Sequence, residues 1–82
     1  MFTVKLYDGT QHPAVHPIES ATAATESEAR KIAARMLGHK SLRGAATWER
    51  HQGGTVYQFG PKQEDNGYDY AVIGISRLVF ED

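Results

Sequence analysis

The chain is 82 residues long, 40% hydrophobic and 23% charged, with a formal net charge of −1 at pH 7 and no cysteine. That length holds one domain, residues 1–82, with little left for a linker or tail, and near-neutrality argues against a purely electrostatic binder or an acidic mimic of nucleic acid. No disulfide adds to what a small core supplies, so self-association into a homodimer is one way to enlarge it. No apolar run approaches the ~20 residues of a membrane helix. The first residues also lack a basic segment followed by an apolar stretch, so a soluble, cytoplasmic protein without a signal peptide is expected.

The first strand is predicted over residues 2–7, where Phe2, Val4 and Leu6 alternate with Thr3, Lys5 and Tyr7, and the Asp8-Gly9 pair ends it. Pro13 and Pro17 remove ladder donors from the stretch that follows, and residues 18–23 read as a short strand feeding the next element. Residues 25–38, TESEARKIAARMLG, carry the best-punctuated signal in the chain. Thr25 and Glu28 have capping-box spacing. Ala29, Ile32, Ala33 and Met36, with Leu37 at the edge, form one apolar stripe, and Gly38 supplies a left-handed stop.

A basic loop over 39–44 leads to a strand over 45–51, a hairpin turn at Gln52-Gly53-Gly54, and a return strand over 55–60 with Tyr57 and Phe59 on one face. Asn66-Gly67 marks a turn before the longest predicted strand, 68–80, in which Gly74 reads as a bulge or a close-approach site. Core candidates are Phe2, Val4, Leu6, Ile18, Ala29, Ile32, Ala33, Met36, Leu37, Trp48, Tyr57, Phe59, Ile73, Ile75 and Leu78, each large one worth roughly 1.5–3 kcal/mol when buried. The order is β(β)αβββ: an α+β two-layer sandwich with one helix packed on an antiparallel sheet.

A single helix covers one side of such a sheet. If Ala71, Ile73 and Ile75 face the helix, then Tyr68, Tyr70 and Val72 face away, and Tyr7 joins them. These residues read first as side chains packed along an exposed sheet. They are also the leading candidates for a protein-binding surface, since tyrosine supplies contact area at low entropic cost.

The second candidate is basic. Arg30, Lys31, Arg35, Lys40 and Arg43, with His39, fall in a window free of acids, whereas Glu64, Asp65, Asp69, Glu81 and Asp82 outnumber Lys62 and Arg77 after residue 51. Such a run could follow a phosphate backbone with Trp48 or Tyr57 as stacking partners. Glu26 and Glu28 at i+4 and i+3 from Arg30 and Lys31 also suit ordinary pairing on a solvated helix face. His12 and His16 have an H-x-x-x-H spacing, but each precedes a proline that favours extended backbone. Four residues then separate the imidazoles by roughly 13 Å, so no metal site is read and no cofactor is implied. Glu49 and His51 would share a strand side as an acid–base couple, yet no nucleophile elbow or phosphate-binding glycine loop accompanies them; Gly53, Gly54 and Gly60 are turn glycines.

The cadence of a strand running into ATESEARKIAARML, a Gly-Gly hairpin and a closing YAVIGISRLVF resembles small accessory proteins of actinobacterial phages, with residues 25–33 as the nearest thing to a motif. The resemblance implies no catalytic residue. It implies a binding protein, working in the host cytoplasm, whose partner is a host or virion component. The expectation is therefore a non-enzymatic interaction protein acting through the sheet face (Tyr7, Tyr68, Tyr70, Val72) or the exposed helix face (Arg30, Lys31, Arg35). A nucleic-acid binder using Arg30, Lys31, Arg35, Lys40 and Arg43 is the alternative, and a small enzyme a distant third.

Overall fold

Strict alternation makes Phe2–Tyr7 strand β1, and the Asp8 carboxylate closes the turn after it by accepting from the Thr10 N–H at 2.8 Å and the Thr10 hydroxyl at 2.6 Å. The computed structural model describes residues 1–11, 16–50, 53–63 and 66–75. After β1 come β2 (Glu19–Ala23), α1 (Glu26–Met36), β3 (Ala46–Glu49), β4 (Thr55–Gln58) and β5 (Tyr70–Ile75). The order ββαβββ is an α+β fold with the helix on an antiparallel five-stranded sheet, β2-β1-β5-β4-β3. The last three strands form the expected meander, and β5 then pairs with β1, so that the first and last strands lie in the sheet interior.

Helix α1 begins where its cap lies. Thr25 is extended (φ −125°, ψ 156°) and its hydroxyl accepts from the Glu28 N–H at 3.2 Å. The helix ends in a Schellman motif: the Gly38 N–H bonds the Arg35 carbonyl at 3.0 Å and the His39 N–H bonds the Ala34 carbonyl at 2.9 Å. Gly38 sits at φ +79°, a conformation that costs glycine little.

Register settles the two faces of the sheet. Phe2, Val4 and Leu6 lie opposite Ile75, Ile73 and Ala71 on the helix side, whereas Lys5 and Tyr7 lie opposite Val72 and Tyr70 on the other. The helix packs on β1, β2 and β5. Ala29, Ala33 and Ala34 join Val4, Ala23, Leu42, Tyr57, Ala71 and Ile73 in the main core. Ala34, outside the expected stripe, is as buried as the alanines within it.

Two core candidates are not core: Ile18 is 59% and Ile75 77% exposed, because one precedes the edge strand β2 and the other ends β5 beyond the helix's reach. Gly74 is neither bulge nor close approach. The register runs unbroken through Thr3↔Gly74, and a Cβ there would meet Thr3 Oγ1 at an ordinary 3.6 Å. The close approach lies at Gly9, where a Cβ would stand 1.8 Å from the Tyr68 carbonyl oxygen. Leu78, the predicted strand beyond residue 75, His12, His51, Glu64, Asp65, Arg77, Glu81 and Asp82 lie outside the described residues.

Candidate binding cleft

The face away from the helix holds a second apolar cluster of Tyr7, Val56, Tyr70 and Val72, with Trp48 packed against it. The Tyr7 and Tyr70 rings stack at 5.3 Å, and the Arg50 guanidinium lies 5.0 Å from the Tyr7 ring centroid. Tyr7 and Val72 are each 8% exposed and Tyr70 1%, whereas Tyr68 is 52% exposed. This corrects the expectation of an open tyrosine-bearing surface: three of its four residues point to the predicted side but are consumed in packing one another. Buried Gln58 anchors the rim. Its Nε2 donates to Asn66 Oδ1 and the Tyr68 carbonyl, both at 3.1 Å, while its Oε1 accepts from the Gln63 N–H and Asn66 Nδ2, both at 3.3 Å. Every polar atom of that amide within reach is thereby used, which is what a buried amide requires.

The basic residues are brought together instead. The chain leaving α1 turns back because Leu42 is buried in the main core. Ala45 N–H bonds the Leu42 carbonyl at 3.0 Å, and the Ser41 hydroxyl accepts from the Arg43 N–H at 3.3 Å. The His39 ring stacks on Phe59 at 3.6 Å and 13°, tying the same loop to the end of β4.

Between this loop and the first turns of α1 lies a recess of about 770 Å³. Arg30 and Lys31 line it from the helix, Lys40 and Arg43 from the loop, with Ser27, Ser41 and Glu26 among them and Leu42 at its base. Ser27, Arg30 and Lys31 share a side of the helix at i, i+3 and i+4. Four cations against one carboxylate make a net of +3 at the recess, in a chain of net −1. Arg35 is exposed but does not line it. Leu42 is the residue that sequence reading missed: one leucine in a basic loop shows no periodicity, yet it is the anchor that closes the cleft.

A second recess, of about 630 Å³, opens beside the first turn of α1. Phe2, Tyr57, Ile73 and Ile75 line it together with Gly53, Gly54, Gly74, Thr55, Glu49 and Glu26. Glu26 borders both recesses, and the Arg30 guanidinium lies 5.9 Å from the Tyr57 ring centroid.

Glu49 accepts from the Thr55 hydroxyl at 3.1 Å, as a cross-strand surface pair. His16 is exposed, and no group of three or more His, Cys, Asp or Glu among the described residues could hold a metal ion. No helix among the described residues is long and apolar enough to cross a membrane. Comparison with protein-family models, curated proteins and solved structures returns no significant match.

Proposed function

We propose that this chain is a non-enzymatic binding protein that grips an acidic segment of a protein partner in the cleft between α1 and the loop after it. The observation that carries this reading is the convergence of Arg30 and Lys31 with Lys40 and Arg43, from two separated stretches, on one recess. Cations that converge on one recess attract carboxylates more strongly than the same charges spread apart. The resemblance to phage accessory proteins makes a host or virion protein the natural partner.

A nucleic-acid ligand is less favoured by the surroundings of the cleft. Trp48 lies on the opposite side of the sheet, and Tyr57 is 7% exposed beneath Arg30, so neither offers a stacking platform beside the cations.

The test is fluorescence anisotropy of a labelled hexaglutamate peptide at low salt. Binding should weaken as salt rises and fall by about tenfold or more in a Lys40→Glu, Arg43→Glu double variant. Both side chains belong to exposed residues, so circular dichroism should be unchanged. No binding at low salt, or an unchanged affinity in the double variant, overturns the reading. A labelled oligonucleotide that binds more tightly than the peptide would transfer the cleft to nucleic acid.

A further inference from the structure

We infer that two copies of this chain pair edge to edge through β2, antiparallel about Ala21, joining their five-stranded sheets into one. The sheet order leaves β2 at an edge, where β1 is its one strand neighbour among the described residues. Alternate residues of such a strand turn their backbone N–H and C=O groups away from the sheet, and those groups need water or another strand. Proteins blunt edges of this kind with a lysine, a proline or a bulge. The sequence of β2, ESATA, holds no lysine or proline, and its register with β1 runs unbroken from Phe2↔Ala23 to Leu6↔Glu19. Just before it stands Ile18, a large apolar side chain that is 59% exposed.

Symmetry selects a second copy as the occupant. Two identical strands pair antiparallel about a two-fold axis normal to the sheet, which keeps both helices on the same face. Residues directly opposite each other point to one face, so the axis passes through a residue and not between two. Centred on Ala21, all five residues of β2 find partners. Ser20 then lies opposite Thr22 of the second copy, Glu19 opposite its Ala23, and exposed Ile18 opposite its exposed Ala24. This register sets no like charges face to face. The four-residue edge β3 could pair at most three residues under the same rule, so β2 is the better edge.

Helix α1 adds to the match. Arg30 lies over Tyr57 of β4, so the opposite flank of the helix faces the β2 edge. Ile32 and Met36, roughly 160° and 120° round the helix from Arg30, stand on that flank and are only partly buried. The same two-fold sets the two helices antiparallel. It brings the acidic first turn of each, Glu26 and Glu28, towards the basic last turn of the other, Arg35. Ser27, Arg30, Lys31, Lys40 and Arg43 stay with the cleft, so a dimer carries two open clefts.

The test is sedimentation equilibrium of the whole chain across a concentration series. The parent should reach twice the 9.1 kDa mass of one chain. Ser20→Glu combined with Thr22→Glu sets carboxylates opposite each other at both symmetry-related pairs and should weaken the dimer about tenfold or more. Ser20→Glu combined with Thr22→Lys sets opposite charges at the same pairs and should restore the dimer. Both residues are exposed, and Ser20 lies beside Lys5 within the chain, so neither double variant should change the circular dichroism. A parent that stays at 9.1 kDa up to about 1 mM overturns the inference. So does a dimer that both double variants weaken alike, or that neither weakens, because association would then use another surface. Peptide binding to the cleft bears on none of these outcomes, so the edge and the cleft stand or fall apart.

Discussion

The two faces of the sheet solve the same problem with opposite materials. On the helix side five of the nine buried residues of the described core are alanines: Ala23, Ala29, Ala33, Ala34 and Ala71 let helix and sheet approach closely, with Val4, Leu42, Tyr57 and Ile73 filling the space around them. On the other side rings dominate: Tyr7 and Tyr70 stack on each other, and Trp48 packs against the cluster they form with Val56 and Val72. Small side chains need a second layer to cover them, whereas large ones lying flat along a sheet cover one another. A sheet face without a helix is therefore not by itself an open binding surface, and in this protein the exposed chemistry lies on the helix side, in the cleft that Leu42 closes.

The largest expected effect tests whether the ringed face is a true core. Tyr70→Ala should cost about 3–5 kcal/mol, as for other buried aromatic truncations, while Tyr68→Ala, at an exposed ring, should cost under about 1 kcal/mol; urea denaturation of the two variants measures the difference. Comparable losses would mean that the two tyrosines pack alike.

Next comes the small-residue face. Ala33→Leu should destabilise by about 1–3 kcal/mol through overpacking against the sheet, again by urea denaturation. A neutral result would show slack between the layers, and the contrast between the faces would dissolve.

Thr25→Ala should cost about 1 kcal/mol by releasing the Glu28 N–H, seen as a lower melting temperature with the cluster on the far face still intact at lower temperature.

The smallest effect concerns the turn after β1. Hydrogen bonds from the Thr10 hydroxyl and then from its N–H hold the Asp8 carboxyl below its ordinary value. Folding therefore gains from Asp8 above that ordinary value, and the gain is lost as the pH falls through the lowered one. Acid titration of stability should show the parent and Asp8→Ala converging at the lowest pH; a constant gap would assign the turn's stability to something other than the carboxylate.

How much was legible follows from range. The capping Thr25, the alanine-rich stripe, the alternation in β1 and the glycine turns are written in neighbouring residues, and the order ββαβββ follows from them. The side on which Tyr7, Tyr70 and Val72 lie was legible too, since a strand has a period of two. Their burial was not, because it depends on β1 and β5 meeting across most of the chain to bring Tyr7 onto Tyr70. The basic residues were legible as a cluster in sequence. Which of them converge was not: Lys40 and Arg43 join Arg30 and Lys31 only because Leu42 is drawn into a core assembled from distant strands.

By itself, then, the sequence determined the elements, their order and the alternation of faces along the strands, because these are set by backbone periodicity and by hydrogen bonds between residues a few positions apart. Tertiary structure alone decided which face stays exposed and which charges share a recess. Both are properties of surfaces that meet only after strands distant in sequence have paired.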